Sequence, residues 1–177
     1  MRRFLDRLYA ASGALAAVCL AAIAVVMLLQ AGLRELGILF RGADDIVGWL
    51  CAATAFLALG HTFRRGELVR VGLVIDALPP LVRRPVGLLA LCIAAAFTAY
   101  MVYAVVRFVY ESWQFHEVAQ GLIQLPIWIP QMSFVVGAIV LFIAVLDELV
   151  VLAGGGKPAY EAAEEARRAN KDFSESL

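Results

Sequence analysis

"LYAASGALAAVCLAAIAVVMLLQAGLREL", Leu8 to Leu36, is the stretch whose reading decides the fold. A helix needs roughly 20 apolar residues to cross a hydrocarbon core about 30 Å thick, and this run exceeds that. It follows a basic start, "MRRFLDR", so a secretory signal peptide is the competing reading. Such a peptide carries an apolar region of typically about 7–15 residues. Here the apolar character continues nearly to Gln30. The run therefore reads as a retained first transmembrane helix with its basic end in the cytoplasm.

The rest of the chain agrees with a membrane reading. Of its 177 residues, 63% are hydrophobic and 17% charged. A soluble domain is nearer half apolar and a quarter charged. Fifteen Lys and Arg balance fifteen Asp and Glu, so bulk charge predicts no nucleic-acid partner. Cys19, Cys51 and Cys92 each lie within an apolar run, far apart in sequence. They read as small buried side chains, without disulfide or metal spacing.

Three further runs, Ile46–Phe63, Val86–Tyr110 and Ile127–Ala153, are close to or beyond spanning length. They lack the polar–apolar alternation of barrel strands. The predicted fold is an all-α integral membrane protein with four transmembrane helices over residues 1–153 and a cytoplasmic, partly helical tail over 154–177. Lys and Arg cluster before the first span, between the second and third, and after the fourth. The positive-inside rule then places both termini and the middle loop in the cytoplasm. Tyr100, Tyr103, Tyr110, Trp113 and Trp128 gather toward the outer face as an aromatic belt. In the tail, Glu164 and Arg168 are ordered for an i,i+4 pair, and the glycines of "AGGGKP" read as a hinge.

The middle loop, "HTFRRGELVRVGLVIDALPP" (His61 to Pro80), carries Arg64, Arg65 and Arg70. Arg64 and Arg65 fall at the cytoplasmic end of the second helix, where they can reach lipid headgroups. Glu67–Leu78 is too short to span and cannot lie in lipid as a free strand. Leu68, Val71, Ile75 and Leu78 follow helical spacing, which predicts a short interfacial amphipathic helix between helices 2 and 3. Pro79 and Pro80 end it, Pro80 can open the next helix, and Pro85 predicts a break or kink just before the third span.

Polar residues within spans are the candidates for function, because burying them in lipid is costly. Gln30 and Arg34 share a face near the outer end of the first span, and Asp44 and Asp45 open the second. The short connection makes these helices antiparallel neighbours, so an interhelical clamp of Gln30, Arg34, Asp44 and Asp45 is expected. Arg107 and Glu111 form an i,i+4 pair, and Asp147 and Glu148 are at the level of Arg64 and Arg65. His61 and His116 belong to different depths, which disfavours a shared haem. Gly48, Ala52 and Ala55, and Ala90, Ala94 and Thr98, form small-residue faces for helix packing. No phosphate loop, serine–histidine–acid set or metal-spaced cluster is present in the sequence. No catalytic, cofactor-binding or metal residue is assigned.

Three segments resemble the small membrane subunit of TRAP transporters, the tripartite ATP-independent periplasmic transporters (DctQ-like family). "LLQAGLRELGILFRGADDIVGWL" carries Gln30, Arg34, Asp44 and Asp45. "HTFRRGELVRVGLVIDALPPLVRR" carries Arg64, Arg65, Gly66, Arg70, Asp76, Leu78 and Pro79. "LIQLPIWIPQMSFVVG" carries Pro126, Trp128 and Gly137 at the outer-face start of helix 4. Asp44 and Asp45 stand where glutamates are more usual, Gly72 where an acid is expected, and Pro85 is an addition. The resemblance implies a scaffold in the bacterial inner membrane, contacting lipids through Arg64, Arg65, Arg70 and Asp76. Its implied partners are a large transport subunit and a periplasmic substrate-binding protein, and the implied process is uptake of an organic acid on an ion gradient, usually sodium. The competing readings are an oxidoreductase membrane anchor and a small self-contained transporter. The scarcity of mid-span polar groups speaks against a pocket of the chain's own.

Overall fold

The computed structural model describes residues 2–65 and 80–156. The expected interfacial helix, with Gly66, Arg70, Asp76, Leu78 and Pro79, and the tail beyond residue 156 lie outside the described residues. The described chain is all-helical apart from one isolated bridge. It comprises α1 (Arg2–Glu35), α2 (Ala43–Arg64), α3 (Pro80–Gln114) and α4 (Trp128–Ala153). All four are long and apolar enough to cross a membrane. With 34 residues, α1 extends about 50 Å. That exceeds a hydrocarbon core of about 30 Å, so α1 must tilt or protrude.

The termini of the helices follow local chemistry. Gly37, with φ +75°, ends α1 in a Schellman motif: the Gly37 and Ile38 amides donate to the Arg34 and Leu33 carbonyls at 3.0 and 2.9 Å. Gly155, with φ +83°, repeats the device at α4, where the Gly155 and Gly156 amides donate to the Leu152 and Val151 carbonyls. The glycines that read as a hinge thus begin as an ordered helix stop, because a left-handed residue lets following amides fold back onto orphan carbonyls. Of the break or kink expected at Pro85, the break is not found. The helix starts at Pro80 and runs through Pro85 to Gln114. Only about one turn precedes Pro85, so the missing N–H and the ring's clash fall on the free end.

The helices form an open row in the order α1–α2–α4–α3. α1 packs on α2, α2 on α4, and α4 on α3, with a narrow α1–α4 contact. α4 is therefore central although it comes last, and α1 and α3 form opposite flanks. The core joins Tyr9, Phe63, Leu91, Val140, Leu141, Ala144, Val145 and Leu152. Outside it, Leu28 on α1, Phe97 on α3 and Val150 on α4 are 74%, 69% and 69% exposed. Large apolar side chains exposed along three helices are what a bilayer solvates and water does not.

Close approach of α2 and α4 depends on two glycines. A Cβ on Gly60 would lie 2.6 Å from Val140 Cγ1, and one on Gly137 would lie 2.8 Å from Phe56 Cβ. Beside them Phe56 and Phe134 pack with centroids 4.8 Å apart. The small-residue face expected on the second helix is not the one used. Gly48 has open space around it and Ala55 is exposed, while Leu57, Gly60 and Phe63 are buried. On α3, Leu91 and Thr98 are buried and Ala94 is half-buried, whereas Ala90 points outward. Spacing alone gives a face but not its direction.

Candidate functional site

The polar side chains concentrate near the two ends of the helices. At one end Arg64, in the last turn of α2, meets acids from two other helices. Its Nη2 lies 2.9 Å from Asp6 Oδ1 on α1, and its Nη1 donates to Asp147 Oδ2 on α4. Glu148 Oε1 lies 3.8 Å from the same Nη1. Exposure of these side chains runs from 56% at Asp6 through 19% at Arg64 and 15% at Asp147 to 1% at Glu148. The charges therefore become more desolvated toward α4, where Coulomb attraction is strongest and an uncompensated charge most costly. Arg64 Cζ also sits 5.3 Å above the ring of buried Tyr9, a cation–π contact. Of the two destinations the sequence leaves open for Arg64, headgroups or the acids of helix 4, the geometry displays the acids.

Two more contacts tighten this end. His61 Nδ1 lies 3.1 Å from the Tyr9 carbonyl oxygen, so Nδ1 carries a proton and donates. The same ring packs on Gly13, where a Cβ would come 2.8 Å from its Cγ. One turn deeper, the buried Ser12 hydroxyl donates to the Leu57 carbonyl at 2.5 Å. Arg84 joins the remaining helix: its Nη2 donates to the Leu152 and Ala153 carbonyls at 3.4 Å. A cation over the last carbonyls of α4 complements the helix dipole.

At the opposite end the four expected clamp residues divide. Gln30 Nε2 donates to Asp44 Oδ1 at 3.4 Å, joining α1 to α2. Asp45 turns instead to the loop between α3 and α4. Its Oδ2 accepts the Leu122 and Ile123 amides at 2.7 and 3.2 Å, and its carboxylate packs on Gly121. The Ile123 side chain covers Gly42, where a Cβ would lie 2.6 Å from Ile123 Cγ1. Arg34 enters no ion pair among the described residues. The loop is itself folded: Val118 bridges Pro126, and the Ala119 amide donates to Leu125 at 2.8 Å. Trp128 begins α4, half-buried, just beyond that bridge. Ser112, 1% exposed, donates to Glu117 Oε2 at 2.9 Å, and Arg107 pairs with Glu111 at 2.8 Å on the exposed face of α3.

Sequence reasoning missed Asp6, Tyr9 and Ser12, because "MRRFLDRLY" reads first as a basic anchor. Depth held the missing signal: Asp6 near the start of the first run and Arg64 at the end of the second fall at one level when the two helices are antiparallel neighbours. His61 stands in the last turn of α2 and His116 in the loop after α3, where its Nδ1 lies 3.2 Å from the Gln114 carbonyl oxygen. Cys51 and Cys92 are exposed on α2 and α3 and Cys19 is half-buried on α1. Among the described residues no three His, Cys, Asp or Glu converge as metal ligands. Arg65 is exposed at the C-terminal cap of α2.

The arrangement holds helices together. Each of the described interhelical polar contacts, from Asp6 to Asp147 and from Gln30 to Ile123, ties one element of the row to another. Fold and site together define a multi-pass α-helical membrane protein whose described polar contacts join one helix to another. The family model of "Tripartite ATP-independent periplasmic transporters, DctQ component" matches residues 23–154. The chain belongs to that family, the small component of TRAP transporters. None of the curated proteins matches the chain.

Proposed function

We propose that this chain is a scaffold in the bacterial inner membrane that braces the large transport subunit of a TRAP system and carries no solute itself. The large subunit moves an organic acid, delivered by a periplasmic binding protein, on a sodium gradient. Both termini and the loop between α2 and α3 face the cytoplasm, with the Gln30–Asp44 contact at the outer face. Arg65, Arg70 and Asp76 lie at the cytoplasmic interface among lipid headgroups. Pro126 and Trp128 set the outer start of α4.

One observation carries the reading: the described polar contacts between helices bind those helices to one another near the helix ends. A self-contained secondary transporter needs polar groups gathered near the bilayer midplane. Among the described residues the row is open on both flanks, which suits a support whose outer faces meet lipid and a larger companion. Membership of the family supports the pairing with a large subunit and a periplasmic receptor.

Reconstitution tests this directly. Liposomes containing the purified chain alone should take up no organic acid under an inward sodium gradient. Liposomes that also contain the large subunit, supplied with the binding protein, should take it up. Solute accumulation by the isolated chain would overturn the proposal.

A further inference from the structure

We infer that the loop joining α3 and α4 is a preformed wedge seated in the boundary between lipid headgroups and acyl chains. The inference needs only that the four helices span a bilayer, and it stands apart from the scaffold reading. Both ends of the loop continue from membrane-spanning helices, so it lies at the bilayer surface. From Val118 to Trp128 the chain has no charged residue. Phe115, Val118, Leu122 and Leu125 are 70%, 55%, 71% and 42% exposed. Four large apolar side chains on one short connection are costly in water, at about 25 cal/mol per Å² of apolar surface.

The backbone makes such seating affordable. Irregular chain is excluded from lipid when its peptide groups lack partners. Here the Ala119 amide donates to Leu125 and the Ile127 amide to Glu117, at 2.8 and 3.0 Å. The tip amides of Leu122 and Ile123 are held by Asp45 on a neighbouring helix. The wedge therefore enters the boundary with these groups already bonded. Tyr110 and Trp113, 56% and 57% exposed at the end of α3 with rings 6.0 Å apart, stand where an interfacial aromatic belt belongs. Lipid is the occupant this surface fits. Exposed His116 and Glu117 stand at the start of the loop, but from Val118 to Trp128 it carries no charge to steer and orient a soluble partner, and it continues into outward-facing apolar positions, Phe108 on α3 and Ile129 on α4.

Spin-label accessibility tests the wedge. The full-length chain, with Cys19, Cys51 and Cys92 replaced by serine, receives a nitroxide at Leu122→Cys, or at Leu125→Cys should the first variant misfold. It is excised from the membrane in polymer-bounded native nanodiscs, which retain lipid and any bound partner. Leu28→Cys gives the acyl-chain reference and Arg41→Cys the aqueous one. The expected ratio of oxygen to nickel-chelate accessibility at the loop is several-fold above that at Arg41 and approaches that at Leu28. A ratio equal to that at Arg41 places the loop in water and overturns the inference. Shielding from both reagents places it under protein and overturns it equally. Asp45→Ala should raise both mobility and nickel accessibility of the loop label; no change would refute the claim that the wedge is preformed by that carboxylate.

Discussion

Arg64 in the last turn of α2 donates to Asp147 of α4, and the same guanidinium reaches Asp6 of α1 at 2.9 Å. Three helices are thus fastened through one planar fork. α1 and α4 share little other contact, so much of what positions them relative to each other passes through Arg64. An arginine suits this place because its charge is permanent and its five donors point in fixed directions.

Removing that fork should be severe. Arg64→Met takes the guanidinium from the 15%-exposed Asp147, and breaking a buried pair costs about 3–5 kcal/mol. Arg64→Lys should recover only part, because an ammonium cannot fork. Adding Asp147→Leu to Arg64→Met should cost less than the sum of the single changes. Thermal unfolding of the purified chain in nanodiscs reads all three, and additive losses would count against the pair.

Asp45→Ala should loosen the loop while sparing the helices. It removes the acceptor of the Leu122 and Ile123 amides, and leaving such groups unpaired costs about 1–3 kcal/mol where they are buried. Hydrogen exchange should show protection lost at those two amides and kept in α2. Asp45→Asn, which retains one acceptor oxygen, should fall between.

The glycines of α2 and α4 should respond in opposite ways. Gly137→Ala brings a methyl against Phe56 and should destabilise the chain, by about 1–3 kcal/mol for overpacking. Gly48→Ala meets open space and should be neutral or stabilising by up to about 1 kcal/mol through helix propensity. Thermal unfolding midpoints of the two variants, measured in the same lipid, give the comparison.

Arg34→Ala should leave the stability of the isolated chain within about 0.5 kcal/mol, since Arg34 forms no ion pair among the described residues. If Arg34 serves assembly, the same variant should lose co-purification with the large subunit. Unchanged recovery of the complex would assign Arg34 to lipid contact instead.

Much of the fold was legible along the chain. The four runs read from hydropathy coincide with α1 to α4 to within a few residues at most ends, because spanning length is a one-dimensional property. The neighbourhood of α1 and α2 followed from a short connection. Arg64 with the acids of α4 was legible as a shared depth, which charge counting supplies. The partner of Asp45 was not: it sits one residue from Asp44, and which of two adjacent carboxylates faces α1 and which faces a distant loop depends on helix rotation. The unused Gly48 face failed for the same reason.

Hydropathy, length and the placement of arginines were enough to establish four helical spans with polar groups at their ends, since a bilayer imposes those constraints on each segment separately. Tertiary structure alone decided that α4 lies between α2 and α3, that Gly60 and Gly137 form the close contact, and that Asp45 holds the loop. Those outcomes depend on which helix faces meet, and a face acquires a direction only when a neighbouring helix is present to occupy it.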